Sequence, residues 1–216
     1  RYASAFLNMF GRGVSSFGDI SHYIPRLIFA RVYFPDGKSH GLGISSSIGP
    51  NGERCADMFP IIPDEWKPAV LWHWNRDTGG SADNPDLAKI AREGPVQAFL
   101  HYPLHLKPRP PGELMPLTWE APTFGYYGFR NAWKDQNDVV FQIFAKAKGP
   151  GGWGGPDAGT FRLMGLGHAW AVGNTGREVR RWLENVVVLP EDTDLTESSL
   201  GRVSYLRSSA DGSGAV

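Results

Sequence analysis

The stretch Trp72-His73-Trp74 combines a titratable imidazole with two indole rings, shortly before a Gly79-Gly80 pair. Histidine is the side chain whose charge changes most readily near neutral pH, and tryptophan offers a broad apolar face. This combination suits a sugar subsite, so His73 is a candidate catalytic residue and Trp72 a candidate substrate-binding residue. A histidine with an ordinary structural role is the alternative interpretation.

A second candidate site is the glycine-rich segment 149–156, which has five glycines in eight residues and leads into Asp157. Glycine-rich backbone adopts positive φ and approaches other groups closely, and loops of this kind carry many binding sites. Trp153 and Asp157 are therefore candidate substrate-binding residues. The alternatives are a flexible loop before a β-hairpin and a tryptophan that caps a sheet.

Composition and charge exclude several classes of protein. The 216 residues include 22 basic and 22 acidic side chains, so the chain lacks the basic excess of a nucleic-acid-binding domain. No apolar run approaches 18 residues, which predicts that no segment spans a membrane. Cys55 is the only cysteine, so an internal disulfide is impossible.

The first half of the chain contains clear helix signals. Pro68, at a first helical position, predicts a helix over residues 67–76. Asn84 as N-cap and Pro85 as first helical residue predict another helix over 85–93. Segments rich in β-branched and aromatic residues or in proline are expected to be extended, and these lie at 28–33, 41–44, 58–63 and 96–102.

The pattern changes after residue 102. Five prolines within 103–116 predict an extended connector. Strand-like segments then alternate with turn signals, and these lie at 124–133, 139–146, 157–173, 179–189 and 202–206. Helices followed by strands predict an α+β chain or two separate units. We expect one part over 1–111, with the helices, a β-hairpin and the connector, and an antiparallel β part over 112–216.

Four motifs follow one another in the second part: Phe129-Arg130-Asn131-Ala132-Trp133, Val139-Val140-Phe141-Gln142-Ile143-Phe144, Asp157-Ala158-Gly159-Thr160-Phe161 and Ala169-Trp170-Ala171-Val172. This series resembles the start of the β-sandwich in heparinase II/III-like polysaccharide lyases, over residues 124–175. The resemblance implies the end of an α/α-toroid followed by part of a β-sandwich. It also implies a fragment of a larger enzyme, with the rest of the parent chain as a partner.

Enzymes of that family cleave uronic-acid-containing polysaccharides by β-elimination, which needs a base next to the carboxylate and an acid at the leaving oxygen. The resemblance implies Tyr127 as a candidate catalytic proton donor and Arg130 as a bidentate partner for a uronate. Period two places Tyr126 and Tyr127 on opposite faces of a strand, and a structural ion pair is the alternative for Arg130. An acidic polysaccharide is the expected ligand, and the implied location is secreted or periplasmic.

The glycine loop departs from the family pattern, which often reads His-x-His-x-Asp-x-Gly. Trp153 and Gly155 stand where the histidines would be, and Gly173 replaces a frequent aspartate. Zinc sites need about three protein ligands, whereas Asp157 and Glu184 are the carboxylates left in the matching positions. We therefore expect no metal site and no cofactor.

Three hypotheses follow from the sequence. The chain belongs to a polysaccharide lyase, to a carbohydrate-binding relative without catalysis, or to a structural fragment with no site of its own. A tyrosine that converges with a histidine or arginine in one cleft favours the lyase. A cleft lined by tryptophans, without a proton-transfer pair, favours the binding relative.

Overall fold

The computed structural model describes residues 21–32, 52–78, 80–81, 83–93, 95–122, 125–145, 159–171 and 203–216. They form two compact units, the first with residues 21–29 and 52–115 and the second with residues 30–32 and the described residues after 115. Short helices in the first unit and an antiparallel sheet in the second confirm an α+β chain. Within these ranges, no helix is long and apolar enough to cross a membrane. The expected division at residues 111 and 112 stays a prediction.

The first unit consists of short helices packed around an apolar core. Helix α2 packs against α3 and α5, and α4 packs against α5. The core contains side chains from most of these elements, with Ile28, Cys55, Val70, Trp74 and Ile90 all buried. The helices are α1 (Tyr23–Phe29), α2 (Gly52–Met58), α3 (Lys67–Asp77), α4 (Leu87–Glu93) and α5 (Pro95–His101), with 3₁₀ turns at Phe59–Ile61 and Pro111–Glu113.

Helix α3 confirms the prediction from Pro68, which lies in its first turn, where a missing N–H costs nothing. The predicted strand over 96–102 is wrong, because α5 occupies this segment and packs against two other helices. Pro95 is the first residue of α5, and tertiary contacts override the β-propensity of the apolar residues that follow.

Two other segments that the sequence predicts to be extended are also partly helical. Residues 28 and 29 end α1, residues 31 and 32 have no regular structure, and the rest of that predicted hairpin lies outside the described residues. Residues 58–61 lie in α2 and the 3₁₀ turn that follows it. By contrast, the proline-rich connector over 103–116 is irregular apart from one 3₁₀ turn, as predicted.

The cap of α4 is Asp86, not Asn84. The backbone N–H of Lys89 donates to Asp86 Oδ1 over 2.9 Å, which is the N-cap to N3 hydrogen bond. Residues 85 and 86 therefore precede the helix, which begins at Leu87. Asn84 instead pairs with Ser81 through mutual backbone hydrogen bonds and through its N–H to Ser81 Oγ.

Replacing Asp86 with alanine is expected to destabilise the first unit by about 1 kcal/mol, because an unpaired N–H remains at the start of α4. Asn84→Ala is the matched control and should cost less, since its side chain does not cap the helix. Urea unfolding of both variants, followed by circular dichroism, measures the difference. A larger loss for Asn84→Ala would contradict the assignment.

The second unit contains a five-stranded antiparallel meander in the order β1-β2-β3-β4-β5. Its polar turn at 134–138 joins β2 to β3 as predicted, whereas the predicted strand over 179–189 lies outside the described residues. Residues 203–206 form no strand, and a short hairpin follows them instead. The strands are β1 (Thr118–Ala121), β2 (Tyr126–Arg130), β3 (Val140–Phe144), β4 (Thr160–Gly165), β5 (His168–Ala171), β6 (Arg207–Ser208) and β7 (Gly214–Ala215).

Residues 30–32 pack against one face of the sheet. Val32 packs with Val140 and Met164 in a buried apolar cluster, to which Ala169 adds a contact. The Gln142 side-chain amide donates to the Ala30 carbonyl over 3.2 Å. On the opposite face, half-buried phenylalanines form a row, with ring centroids 6.4 Å apart for Phe129 and Phe141 and 5.9 Å apart for Phe141 and Phe161.

Candidate functional site

His73 and Trp72 lie on α3, in the first unit. The His73 side chain is fully buried at 0% exposure. Trp72 is half-buried, and the Arg76 guanidinium carbon lies 5.2 Å from the centroid of its ring, one helical turn away. In this arrangement the His73 imidazole is closed to a polymeric substrate, and the Trp72 ring already has a cationic partner.

Tyr127 lies on β2, in the second unit, and is also enclosed. Tyr126 and Tyr127 point to opposite faces of the sheet, but both are buried, with Tyr127 only 4% exposed. The Tyr126 hydroxyl donates to Gln142 Oε1 over 3.1 Å. His73 and Tyr127 therefore belong to different units, and each lies in the interior of its own unit.

Arg130 is 2% exposed and has several partners inside the second unit. Its Nη2 lies 3.1 Å from Asp138 Oδ2, and its Nε donates to the Ala132 carbonyl over 2.7 Å. Its guanidinium carbon lies 3.5 Å from the centroid of the Trp133 ring. These contacts agree with the interpretation of Arg130 as part of a structural ion pair, because the guanidinium N–H groups that would bind a uronate are enclosed by protein.

Trp153 and Asp157 lie outside the described residues, as do most of the glycine-rich segment and the positions Gly173 and Glu184. Their proposed contacts with a substrate therefore remain predictions. Within the described residues, no group of three or more histidine, cysteine or acidic side chains is placed to hold a metal ion.

The hairpin of β4 and β5 presents an exposed aromatic pair that the sequence analysis did not select. Trp170 is 62% exposed, and the exposed His168 lies on the same side of β5. Their ring centroids are 5.6 Å apart, and the rings meet edge to face at 71°. The alternation His168-Ala169-Trp170-Ala171 is not a specific signal, because period two would place both alanines on one face, whereas they pair with the neighbouring residues Met164 and Leu163 of β4.

A β-bulge places Trp170 outside the regular ladder. Leu163 pairs with Ala171 and Met164 pairs with Ala169, so Trp170 is the extra residue opposite this step. Its indole Nε1 donates to the Gly165 carbonyl over 3.0 Å, which orients the ring. Bulges often aim a side chain next to a functional site.

The turn of this hairpin is also held in place. Leu166 and Gly167 both have positive φ, 53° and 75°, as a two-residue hairpin turn requires. The Gly167 N–H donates to the Gln136 carbonyl over 2.8 Å, which joins the hairpin turn to the polar turn at 134–138. The exposed aromatic pair is therefore carried by a braced hairpin.

A groove of about 220 Å³ lies in the first unit and is lined mainly by leucines and prolines, with Asn75, Asp83 and Tyr102 as polar groups. The Tyr102 hydroxyl donates to Asn75 Oδ1 over 2.7 Å. Burial raises the pKa of Tyr102, although this hydrogen bond partly opposes the shift. The hydroxyl therefore stays protonated at neutral pH, and the groove suits a small apolar group better than acid–base chemistry.

Comparison with protein-family models and with curated protein sequences finds no match to this chain.

Proposed function

We propose that this chain is part of a protein that binds uronic-acid-containing polysaccharide, and that the residues described above contribute binding and structure, not proton transfer. The observation that carries the proposal is the burial of His73, Tyr127 and Arg130, which encloses all three candidates for elimination chemistry or uronate pairing. Trp170, which lies on the same sheet as Tyr127 and Arg130, is exposed to solvent. The enclosed proton-transfer candidates support the carbohydrate-binding relative over the lyase, and the exposed Trp170 offers a surface for binding.

The resemblance of residues 124–175 to heparinase II/III-like polysaccharide lyases is the reason for proposing an acidic polysaccharide as the ligand. It also underlies the finer proposals that the helices end an α/α-toroid, that the sheet begins a β-sandwich and that the parent protein is secreted or periplasmic. The antiparallel meander of β2 to β5 is compatible with this start of a sandwich.

A lyase is the second candidate, favoured by the ordered series of four motifs. In that case the acid and base for β-elimination come from residues outside the described part or from the rest of the parent chain. Trp153 and Asp157 would then bind the substrate from the glycine-rich segment.

Titration of the purified chain with uronic-acid oligosaccharides in a calorimeter tests the proposal. We expect saturable binding with a dissociation constant of about 1 mM or lower, which corresponds to about 4 kcal/mol. A neutral oligosaccharide of equal length is the control for the carboxylates. No binding to any acidic oligosaccharide would contradict the proposal and favour the structural-fragment hypothesis.

The same samples distinguish binding from cleavage. Elimination creates a carbon–carbon double bond in the product, which absorbs in the ultraviolet, so an unchanged absorbance during incubation is the expected result. A steady rise that His73→Ala or Tyr127→Phe abolishes, with the fold retained, would instead assign the chain to the lyases and these residues to catalysis.

A further inference from the structure

We infer that Trp170 and His168 form a subsite for one pyranose ring of a bound polysaccharide. This inference rests on the proposed function, since it assigns a location to the proposed polysaccharide binding. The exposed indole face is the stacking surface, and the imidazole beside it is the polar partner.

The orientation of the indole ring supports stacking on an apolar ligand face. Because Nε1 already donates to the Gly165 carbonyl, the ring does not need a water or ligand acceptor for this group. The exposed part is then carbon surface with a negative π face. A pyranose ring offers a face of C–H groups with small positive charge, which complements this surface.

His168 adds the polar contact that a sugar needs. The centroid of its exposed imidazole lies 5.6 Å from that of the Trp170 ring, so a sugar stacked on Trp170 would lie within reach of His168. An imidazole offers a hydrogen-bond donor to the hydroxyl and carboxylate oxygens of a sugar and an acceptor to its hydroxyl groups. The pair therefore fits a uronic-acid unit.

The local backbone holds the Trp170 side chain in position before a ligand binds. Trp170 projects from a bulge, and the adjoining turn is fixed to the 134–138 turn by the hydrogen bond from Gly167. A side chain that is oriented in advance loses little freedom on binding, which favours affinity.

The test compares Trp170→Ala, Trp170→Phe and Tyr205→Ala with the unaltered full chain, each titrated with the uronic-acid oligosaccharide that the unaltered chain binds. We expect Trp170→Ala to weaken binding about tenfold or more, which is 1.4 kcal/mol or more, and Trp170→Phe to weaken it less. Tyr205 is a matched control, because it is also an exposed aromatic of the second unit, at 59% exposure.

A second measurement does not depend on the folding of Trp170→Ala. In the unaltered protein, the Trp170 indole N–H resonance, assigned from its loss in Trp170→Phe, should shift when the oligosaccharide is added. Equal binding by Trp170→Ala, or an unchanged resonance at saturation, would overturn the subsite while leaving the proposed function intact. No binding by the unaltered chain would instead overturn the proposed function, and the subsite with it.

Discussion

Replacing Asp138 with alanine is expected to destabilise the second unit by about 3–5 kcal/mol. The change leaves the Arg130 guanidinium charged in the interior, without the carboxylate that lies 3.1 Å from its Nη2. The same carboxylate oxygen accepts a hydrogen bond from the Lys134 N–H over 2.7 Å, so the turn between β2 and β3 also loses a contact. Hydrogen exchange at the amides of β2 and β3 measures the loss within this unit.

An exposed ion pair for comparison lies in the first unit, where Glu113→Ala breaks the contact between Arg109 Nε and Glu113 Oε2 at 2.9 Å, and its effect is read at amides of that unit. Exposed pairs contribute about 0–1 kcal/mol, so this variant should remain close to the unaltered protein. The double variant Arg130→Met with Asp138→Ala should recover much of the loss, because it removes the Arg130 charge that the single variant leaves without its carboxylate. A loss of less than 1 kcal/mol for Asp138→Ala would show that the other partners of Arg130 suffice.

Gly212→Ala is expected to displace the hairpin of β6 and β7 from the sheet. A Cβ at this position would overlap the Arg130 carbonyl oxygen and approach Leu117 Cβ to 3.1 Å. The residue also has a φ of 85°, which costs a residue with a Cβ about 1–2 kcal/mol. The overlap involves backbone, so side-chain rotation does not relieve it. Amide protection over residues 207–215 should fall about tenfold or more, which corresponds to 1.4 kcal/mol or more.

Gly167→Ala separates the two effects in Gly212→Ala. Gly167 has a φ of 75°, and an added Cβ there meets nothing within 4 Å. This variant should therefore show the cost of backbone conformation alone. Equal losses of amide protection, in the β4–β5 hairpin for Gly167→Ala and in the β6–β7 hairpin for Gly212→Ala, would contradict this prediction. They would show that the overlap with the Arg130 carbonyl adds nothing to the cost of the backbone conformation.

The sequence by itself determined features that depend on local chemistry. Pro68 marked the start of α3, because its ring fixes φ and its missing N–H is harmless in the first turn. The polar turn at 134–138 and the apolar segments beside it predicted the β2–β3 hairpin, since turn residues and β-propensity act over a few neighbours. The α+β class followed from the order of these elements.

Tertiary structure decided the elements whose local signals conflicted. Residues 96–102 have strand-like composition, but α5 forms there because its residues pack against α2 and α4. Asn84 and Asp86 are both good caps by type, and the choice of Asp86 depends on where Lys89 N–H points. A helix cap contributes about 1 kcal/mol to stability, and differences in packing energy are easily larger.

The candidate site also combines features that residue type predicts with features that only tertiary structure decides. Residue type made His73, Tyr127 and Arg130 candidates for chemistry, but the exposure of each side chain depends on partners distant in the chain. The Arg31 carbonyl, for example, lies 3.4 Å from Arg130 Nη1 and comes from 99 residues earlier. Trp170 gave no stronger signal than the other seven tryptophans in the sequence. The bulge, which arises from the pairing of β4 with β5, takes Trp170 out of the ladder, and its ring is exposed to solvent.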